Sequence, residues 1–463
     1  MQGNYRSGRM SLSAWLVSLL LFATVVPPDA WADPPAAGQD NPGHVLTLET
    51  AVAWALQNNL ELAVLRKQRG IAESGIVIAR TYPFNPSWQP SVMGINGPAD
   101  AGITNRVFIQ NVIALEVEMR GQGKIRRAIA NAALSRSELE IAAAELAIAV
   151  KTIRAFNAFV YRQDKYRQLE DTLQLQERTA KTAKLLFDQG KVKAVDKMLA
   201  ESDLVEARAQ RGPSQALLVA AWNDLRRVLG TDQPITSFRG RLEPGERPDD
   251  TDELIQAAMR QRPDLQSLQL AIVEADQRTR LEIANRFGNP TVGPKMEYNE
   301  SRIWFVGATA NFPIPAFNAH RGLIQLRMAE REKAVQDKRR VEIQAALDVK
   351  AAVARLAEAQ KWAKYIGSES LPALQTTMDS LDKLFEAGES SVDVLRLINA
   401  RRYLLRARDG YLDALWELSS ARADLAAAVG DIELALPLRE VMPVPAPGNS
   451  ARPQLLPPVA QSK

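Results

Sequence analysis

Two spacings of hydrophobic residues alternate along this chain, and they alternate twice. Between Lys124 and Phe187 there is no glycine or proline, and Leu139, Ala142, Leu146, Ala149, Ile153, Phe156 and Val160 recur at steps of three and four. That is the heptad spacing of a helix that supercoils left-handedly against its neighbours. The same spacing returns in Leu371, Leu374, Met378, Leu381 and Phe385. It predicts long helices near 124 to 187 and 320 to 386, each about 100 Å at 1.5 Å per residue. A seam of this kind equally describes the core of a soluble bundle, so it fixes shape and leaves function open.

Between the helical stretches the period drops to two. Trp304, Val306, Ala308, Ala310 and Phe312 alternate with other residues after a turn at 299 to 302, and Lys295 to Tyr298 alternates before it, which predicts a β-hairpin near 291 to 312. A weaker counterpart lies near 87 to 117, where Trp88 and Val92 flank Pro90 and a Gly- and Pro-containing loop precedes Val107 and Ile109. Pro90 and Pro294 argue against regular central strands at those two points.

The pattern is a duplication. Leu185, Leu186, Phe187, Asp188, Gln189, Gly190 closes the first long helix, and Lys383, Leu384, Phe385, Glu386, Ala387, Gly388 closes the second. In each, a glycine past the last apolar residue can take the left-handed conformation that ends a helix. Helical spacing resumes at Val195, Asp196 and at Val392, Asp393, so each tip joins two antiparallel helices. Upstream, each copy opens on a shorter helical segment, near 47 to 80 and 251 to 286, that runs into Asn85-Pro86 or Asn289-Pro290. With the segments 195 to 229 and 391 to 429, two shorter helices lie end to end beside each long one, which makes a rod rather than a globule. The chain therefore divides into a first repeat at 46 to 230 (tip 187 to 196), a linker at 231 to 250, and a second repeat at 251 to 430 (tip 385 to 393). The Pro-rich tail at 431 to 463 is expected to be disordered.

Before Leu46, Arg6 and Arg9 precede an apolar run from Leu12 to Val26, and Ala30-Trp31-Ala32 supplies a small-x-small cleavage motif. Residues 1 to 32 read as a secretory signal peptide followed by a linker at 33 to 45, so the mature protein is expected to be exported. No later stretch approaches the roughly 20 apolar residues of a membrane-spanning helix. The chain has no cysteine, which excludes disulfides, thiolate metal sites and a lipidated N-terminal cysteine. Its 58 basic and 54 acidic residues are interspersed, which leaves no patch suited to nucleic acid. The two histidines, His44 and His320, fall in a pre-helical linker and at a strand-to-helix junction, where they are expected to be solvated and form no metal pair. Gly121-Gln122-Gly123-Lys124 lacks the spacing and the Ser or Thr of a phosphate loop. No catalytic constellation or cofactor motif emerges, and the chain is not expected to be an enzyme.

The paired repeats, the Asn-Pro after each first helix, Ile314-Pro315-Ala316-Phe317-Asn318 before the second long helix, and both glycine tips resemble the TolC family of outer-membrane efflux channels, from about Leu46 to Gly430. The likeness is greatest to the outer-membrane subunits of heavy-metal cation efflux systems. It implies a mainly α fold with a β membrane part: a homotrimer whose twelve-stranded β-barrel in outer-membrane lipid continues as a twelve-helix periplasmic tunnel. It implies as partners a periplasmic adaptor and an inner-membrane pump of the RND type, and as function passive conduction of their substrate to the exterior. Four strands cannot close a membrane barrel, whose minimum is about eight, so several chains must combine and three would give twelve. Small-residue faces such as Ala142 to Ala144 and Ala426 to Ala428 suit close packing around a hollow tube.

The resemblance also implies site residues. Phe187, Gly190, Phe385 and Gly388 form the tips expected to dock the adaptor. Val392-Asp393-Val394-Leu395-Arg396 matches the family's run that carries two aspartate rings, with Asp393 at the first ring and Arg396 in place of the second aspartate. Asp393 and Arg396 are thereby the expected pore constriction. Asp196 matches the aspartate of a tip latch, although Glu389 or Ser390 stands near the place of the latch arginine. Helix N-capping accounts for Asp196 and Asp393 equally well. Tyr298, Trp304 and Phe305 are candidate lipid-facing or interfacial aromatics. The competing readings are a periplasmic coiled-coil adaptor or scaffold, which would normally carry one hairpin between β domains, and a channel of the same family for drugs or organic compounds.

Overall fold

The computed structural model describes residues 46–97, 106–190, 192–231, 238–242, 250–299, 301–386 and 394–436. The segment read as a signal peptide and most of the Pro-rich tail lie outside them. The first repeat comprises α1 (Leu48–Asn58), α2 (Leu60–Arg80), β1 (Ser87–Ile95), β2 (Arg106–Glu116), α3 (Gln122–Asp188) and α4 (Ala194–Leu229). The second comprises α5 (Thr251–Gln261), α6 (Pro263–Asn285), β3 (Thr291–Tyr298), β4 (Trp304–Asn311), α7 (Arg321–Lys364), α8 (Leu371–Glu386) and α9 (Val394–Val429).

The helices predicted over 47 to 80 and 251 to 286 are each broken in two, and the break has a partner. Asn59 and Arg262 leave helical conformation, and each reaches the end of the helix stacked beside it. Asn59 Nδ2 donates to the Val228 carbonyl at 2.8 Å, and Arg262 Nη1 donates to the Ala428 carbonyl at 3.1 Å. These are orphan carbonyls of the last turns of α4 and α9, which an unbroken helix could not satisfy. Asn59 also caps α2 by accepting from the Glu61 and Leu62 amides. At the same junctions Gly230 and Gly430 take positive φ, and a Cβ on Gly230 would stand 2.7 Å from the Asn58 carbonyl oxygen. Pro263 opens α6, where its missing N–H costs nothing.

The long helix of the first repeat runs unbroken for 67 residues, about 100 Å. Its counterpart does not: a π-helical turn at Tyr365–Ser370 separates α7 from α8. Pro372 follows directly and cannot donate to the preceding turn, and Gly367 admits the Tyr411 ring, which would lie 2.8 Å from a Cβ there. An inserted side chain and a lost donor are ordinary causes of such a widening.

The heptad positions Ala149, Ile153, Phe156 and Val160 are buried as expected, whereas Leu139, Ala142 and Leu146 are half-buried. Around the lower four the cores of the two repeats meet. Phe156 and Val160 pack with Ala51, Ala55, Leu62, Leu225 and Leu229 of the first repeat, and Ala149 and Ile153 with Ala423 and Ala426 of α9. Burying a side chain such as Phe156 contributes about 1.5–3 kcal/mol. Part of the segment predicted as a linker belongs to this core: Phe238 lies 4.8 Å from the Phe156 ring and 4.7 Å from that of Phe159, and Leu242 is buried.

The four strands form one antiparallel sheet in the order β1-β2-β3-β4. Pro90 and Pro294 both lie inside strands, but neither stands in a regular central ladder, as expected. Pro90 is tolerated because β1 is an edge strand. Pro294 is tolerated at a price in pairing: β3 pairs without a break with β4, but its ladder with β2 lapses at Gly293 and Pro294 and resumes on either side in the same register. Gly293 lets the strands close there, since a Cβ on it would stand 1.7 Å from the Ile113 carbonyl oxygen.

Candidate functional site

The sheet has two chemically distinct faces. Successive side chains point to opposite sides of a strand, so the registers sort them directly. Trp88, Val92, Ile113, Met296, Trp304 and Val306 share one side with Val107, Ile109, Leu115, Val292 and Tyr298. Most of this side is exposed, reaching 78 % at Val306, while Ile109, Leu115 and Tyr298 are half-buried. Its one polar side chain among the paired positions, Asn111, accepts a hydrogen bond from Trp88 Nε1 at 3.1 Å. The other side carries Gln89, Ser91, Gln110, Lys295, Glu297 and Thr309, with Lys295 and Glu297 paired at 2.8 Å. An exposed apolar face opposite a polar one is the alternation of a membrane β-barrel, lipid outside and water inside. Tyr298 and Trp304 lie on the apolar face, 5.0 Å apart. Phe305 does not: it is one residue from Trp304 and so points to the polar face, which removes it from the three candidate lipid-facing or interfacial aromatics.

Where the sheet meets the helices, the connection 116–121 is bound to the end of α6. Gln122, fully buried, donates to Asn289 Oδ1 at 2.6 Å, and Asn289 Nδ2 donates to Glu116 Oε1 at 2.9 Å. Arg120 donates to the Gly288 carbonyl at 2.7 Å and lies over the Phe287 ring. The Asn of this Asn-Pro is thus a bridge, and Gly121 provides the positive φ from which α3 starts. His320 occupies the same place before α7, with φ +55°, and its Nδ1 lies 3.6 Å from Glu282 Oε2, so it is packed against a carboxylate rather than freely solvated. His44 lies outside the described residues.

At the far end of the rod, α3 stops at Asp188, the Gly190 amide donates to the Phe187 carbonyl at 2.9 Å, and Gly190 takes φ +70° as the sequence predicts. The tip exposes apolar side chains, Leu185, Val195 and Met198, among the charged Lys184, Asp188 and Lys193, and Lys197 Nζ lies 5.1 Å from the centre of the Phe187 ring. Asp196 is half-buried in the first turn of α4. It is not the N-cap, a position held by Lys193, and it has no side-chain partner among the described residues. Capping therefore does not account for it, and no latch through Asp196 is seen among those residues. Phe385 belongs to the last turn of α8, while Gly388 and Asp393 lie outside the described residues. Arg396 is exposed on the first turn of α9.

The two hairpins are joined instead by residues that the sequence reading did not single out, on one turn of α9. Ile398 is buried against Ala183 of α3 and Ala200 of α4. Arg401 donates to Thr179 Oγ1 at 2.9 Å. Arg402 pairs with Asp203 of α4, whose side chain is 11 % exposed. A signal was present, since Asp203 sits between Ala200 and Ala207 on a stripe of three-and-four spacing that is otherwise buried, and an acid there requires a partner. Above this turn a cleft of about 410 Å³ separates α4 from α9, lined by Lys165, Thr172, Glu206, Arg406 and Asp409 among others. Higher still the hairpins are joined again: Lys165 contacts Asp409 at 2.5 Å and Asp413 at 2.8 Å, and Tyr161 donates to Asp413 at 2.5 Å. Burial alone would lower the Lys165 pKa, but the hydrogen bonds it donates to both carboxylates raise it above its ordinary value. Asp424 binds Arg154 of α3 and Arg355 of α7, so α9 is tied to both repeats.

Known proteins share this architecture. The family model described as outer membrane efflux protein matches residues 52–231 and 254–431, one segment in each repeat. The cobalt-zinc-cadmium resistance protein CzcC of Cupriavidus metallidurans is 22 % identical over 389 residues, 83 % of this chain and 90 % of the relative. Among solved structures, a membrane protein from Pseudomonas aeruginosa superposes with a TM-score of 0.66 at 21 % identity, over 84 % of this chain and 91 % of that one. CusC gives 0.66 at 18 % identity over 83 % and 92 %. The CmeC outer membrane channel of Campylobacter jejuni gives 0.65 at 15 % identity over 83 % and 85 %.

Proposed function

The chain belongs to the outer membrane efflux protein family, and we propose that it acts as one third of the exit duct of a tripartite pump for divalent heavy-metal cations. As a member of that family it is an outer-membrane efflux channel that extends into the periplasm. The observation that carries the reading is the two-faced sheet with open edges set on a rod of helices. The sheet alone would expose two unpaired edges to lipid, and a membrane permits that only if other copies close the ring.

The helices support closure by the same logic. Among the described residues α6 packs against both α3 and α7, whereas its counterpart α2 packs against α3 and the end of α1. The side of α2 left over carries Val64, Ile71 and Ile78, seven residues apart and exposed. A second copy's α7, with exposed Leu323, Leu326 and Ile343, supplies the missing neighbour.

The cargo follows from the relative whose name records cobalt, zinc and cadmium resistance. The tips around Phe187, Gly190, Phe385 and Gly388 dock a periplasmic adaptor, which couples the duct to an inner-membrane RND-type pump; the exposed apolar surface at Leu185, Val195 and Met198 supports this end as the contact. Asp393, repeated around the axis, forms the constriction, with Arg396 beside it moderating the charge, and three converging carboxylates attract cations and repel one another. Deleting the gene should sensitise cells to cobalt, zinc and cadmium and spare resistance to organic toxicants. Sensitivity to drugs alone would refute the cargo, and recovery of the protein from the soluble periplasm would refute the duct. Asp393→Asn should enlarge single-channel current and abolish divalent block at unchanged thermal stability; unchanged current and block would remove Asp393 from the pore.

A further inference from the structure

The short segment 238–242 lies against α3 with alternating sides. Phe238 and Leu242 enter the core of the first repeat. Gly240 between them faces the same core so closely that a Cβ there would stand 2.8 Å from Val160 Cγ2 and 2.9 Å from Phe156 Cε1. Alternation sends Arg239 and Arg241 to the other side, where both are exposed. The segment is anchored beside the start of α1: Phe238 bridges Leu46 in parallel, and the Arg239 amide donates to the Leu46 carbonyl at 3.0 Å. There Arg239 and Arg241, with Arg422 of α9, line a cavity of about 410 Å³ whose wall also includes Glu49, Asn157 and Ser419. Asn157 stands 35 residues after Gln122, which places the cavity about 50 Å along α3 from the sheet, near the middle of the rod.

We propose that this cavity binds a small multivalent oxyanion, a polycarboxylate or a phosphate ester. Three guanidiniums meet one carboxylate in its wall, that of Glu49. Asp164 of α3 also interacts with Arg241, but it is shared with Arg167, which it meets at 3.6 Å. Arginine suits such a ligand because its planar fork donates to two oxygens of one carboxylate or phosphate and it keeps its charge at any physiological pH. Asn157 adds an amide donor on the α3 side. The second repeat supplies an internal comparison. Its α5 is the image of α1 and opens on Asp250, Asp252 and Glu253, carboxylates that answer the positive end of their own helix. The start of α1 carries a threonine cap and Glu49 alone, and the charge set beside it is positive. Guanidiniums gathered beside that end repel it and one another, a cost that an anion held between them reverses. The volume also fits, since sites for small molecules occupy about 300–1,000 Å³.

The test titrates citrate and inorganic phosphate into the purified, assembled full chain by calorimetry, with acetate and chloride at matched ionic strength for comparison. Citrate or phosphate should saturate one site per chain, and acetate, which has a single carboxylate to offer, should bind at least about tenfold more weakly. Tighter citrate binding assigns the site to polycarboxylates, and tighter phosphate binding assigns it to phosphate esters. Arg239→Gln with Arg241→Gln changes two exposed side chains and should weaken binding at least about tenfold without lowering the thermal midpoint in chloride. Glu49→Gln removes the opposing charge and should tighten binding, an effect that damage to the fold does not imitate, so it decides the question even if the double variant fails to assemble. No saturable binding of either anion overturns the proposal. Equal binding to wild type and the double variant, or a Glu49→Gln protein that binds no tighter than wild type, overturns it as well.

Discussion

The turn of α9 at Ile398 to Arg402 is where the two hairpins can be parted without unfolding either. Ile398→Ala removes a side chain buried against Ala183 and Ala200. Such truncations cost about 2–5 kcal/mol, and the low end applies beside small alanines that leave the site near the surface. Arg402→Gln strands Asp203. Breaking a buried ion pair costs about 3–5 kcal/mol, but Arg402 is 40 % exposed and water can reach the gap, which reduces the expected loss to about 1–2 kcal/mol. Together the two changes remove about 3–4 kcal/mol of lateral attachment, a shift of more than a hundredfold in a closed-to-open equilibrium. The hairpin keeps its own core of Met378, Leu397 and Leu404, and the lateral ties at Lys165 and Arg154 lie far above. The expected result in planar bilayers is a conductance above wild type for the double variant, with amide exchange accelerated in 394 to 404 and unchanged around Phe156. Adding Asp203→Asn to Arg402→Gln should recover part of the loss, since no buried charge is then left unpaired. Wild-type conductance and exchange in the Ile398→Ala, Arg402→Gln protein would refute the idea that this turn holds the hairpins together.

Trp304→Asp should prevent outer-membrane insertion, whereas Phe305→Gln, one residue away on the polar face, should insert and conduct; equal behaviour in a heat-modifiability assay would contradict the assignment of faces. Gly293→Val has to displace the Ile113 carbonyl, and the overpacking penalty of about 1–3 kcal/mol or more should appear as a lower thermal dissociation midpoint of the assembled channel. Phe156→Ala, deep in the core between the repeats, should lose about 3–5 kcal/mol of stability by denaturant titration without altering single-channel selectivity. Burial pushes the Asp264 carboxyl up, but its hydrogen bond and charge interaction with Arg262 outweigh this and hold it below the usual carboxylate range. A depressed folded-state pKa stabilises above the unfolded value near 4 and is lost as pH falls through the folded one, so acidification below about pH 4 should destabilise wild type more than Asp264→Asn.

The chain's spacing of apolar residues determined much by itself: a duplication, helices too long for a globule, glycine tips that reverse them, and four strands in two hairpins. These are local matters of period and backbone freedom, and Gly190 adopts the conformation that its sequence position requires. Tertiary structure decided what depends on a neighbour distant in the chain. Asn59 and Arg262 look unremarkable in sequence, and they break their helices because α4 and α9 end beside them with carbonyls to satisfy. Trp304 and Phe305 are equivalent as aromatics, and only the register with β3 sends one to the apolar face and the other to the polar face. Asp196 carried the better motif, yet Asp203 holds the hairpins, because burial beside Arg402 of the other repeat, and not position in a run of letters, gives a carboxylate its partner.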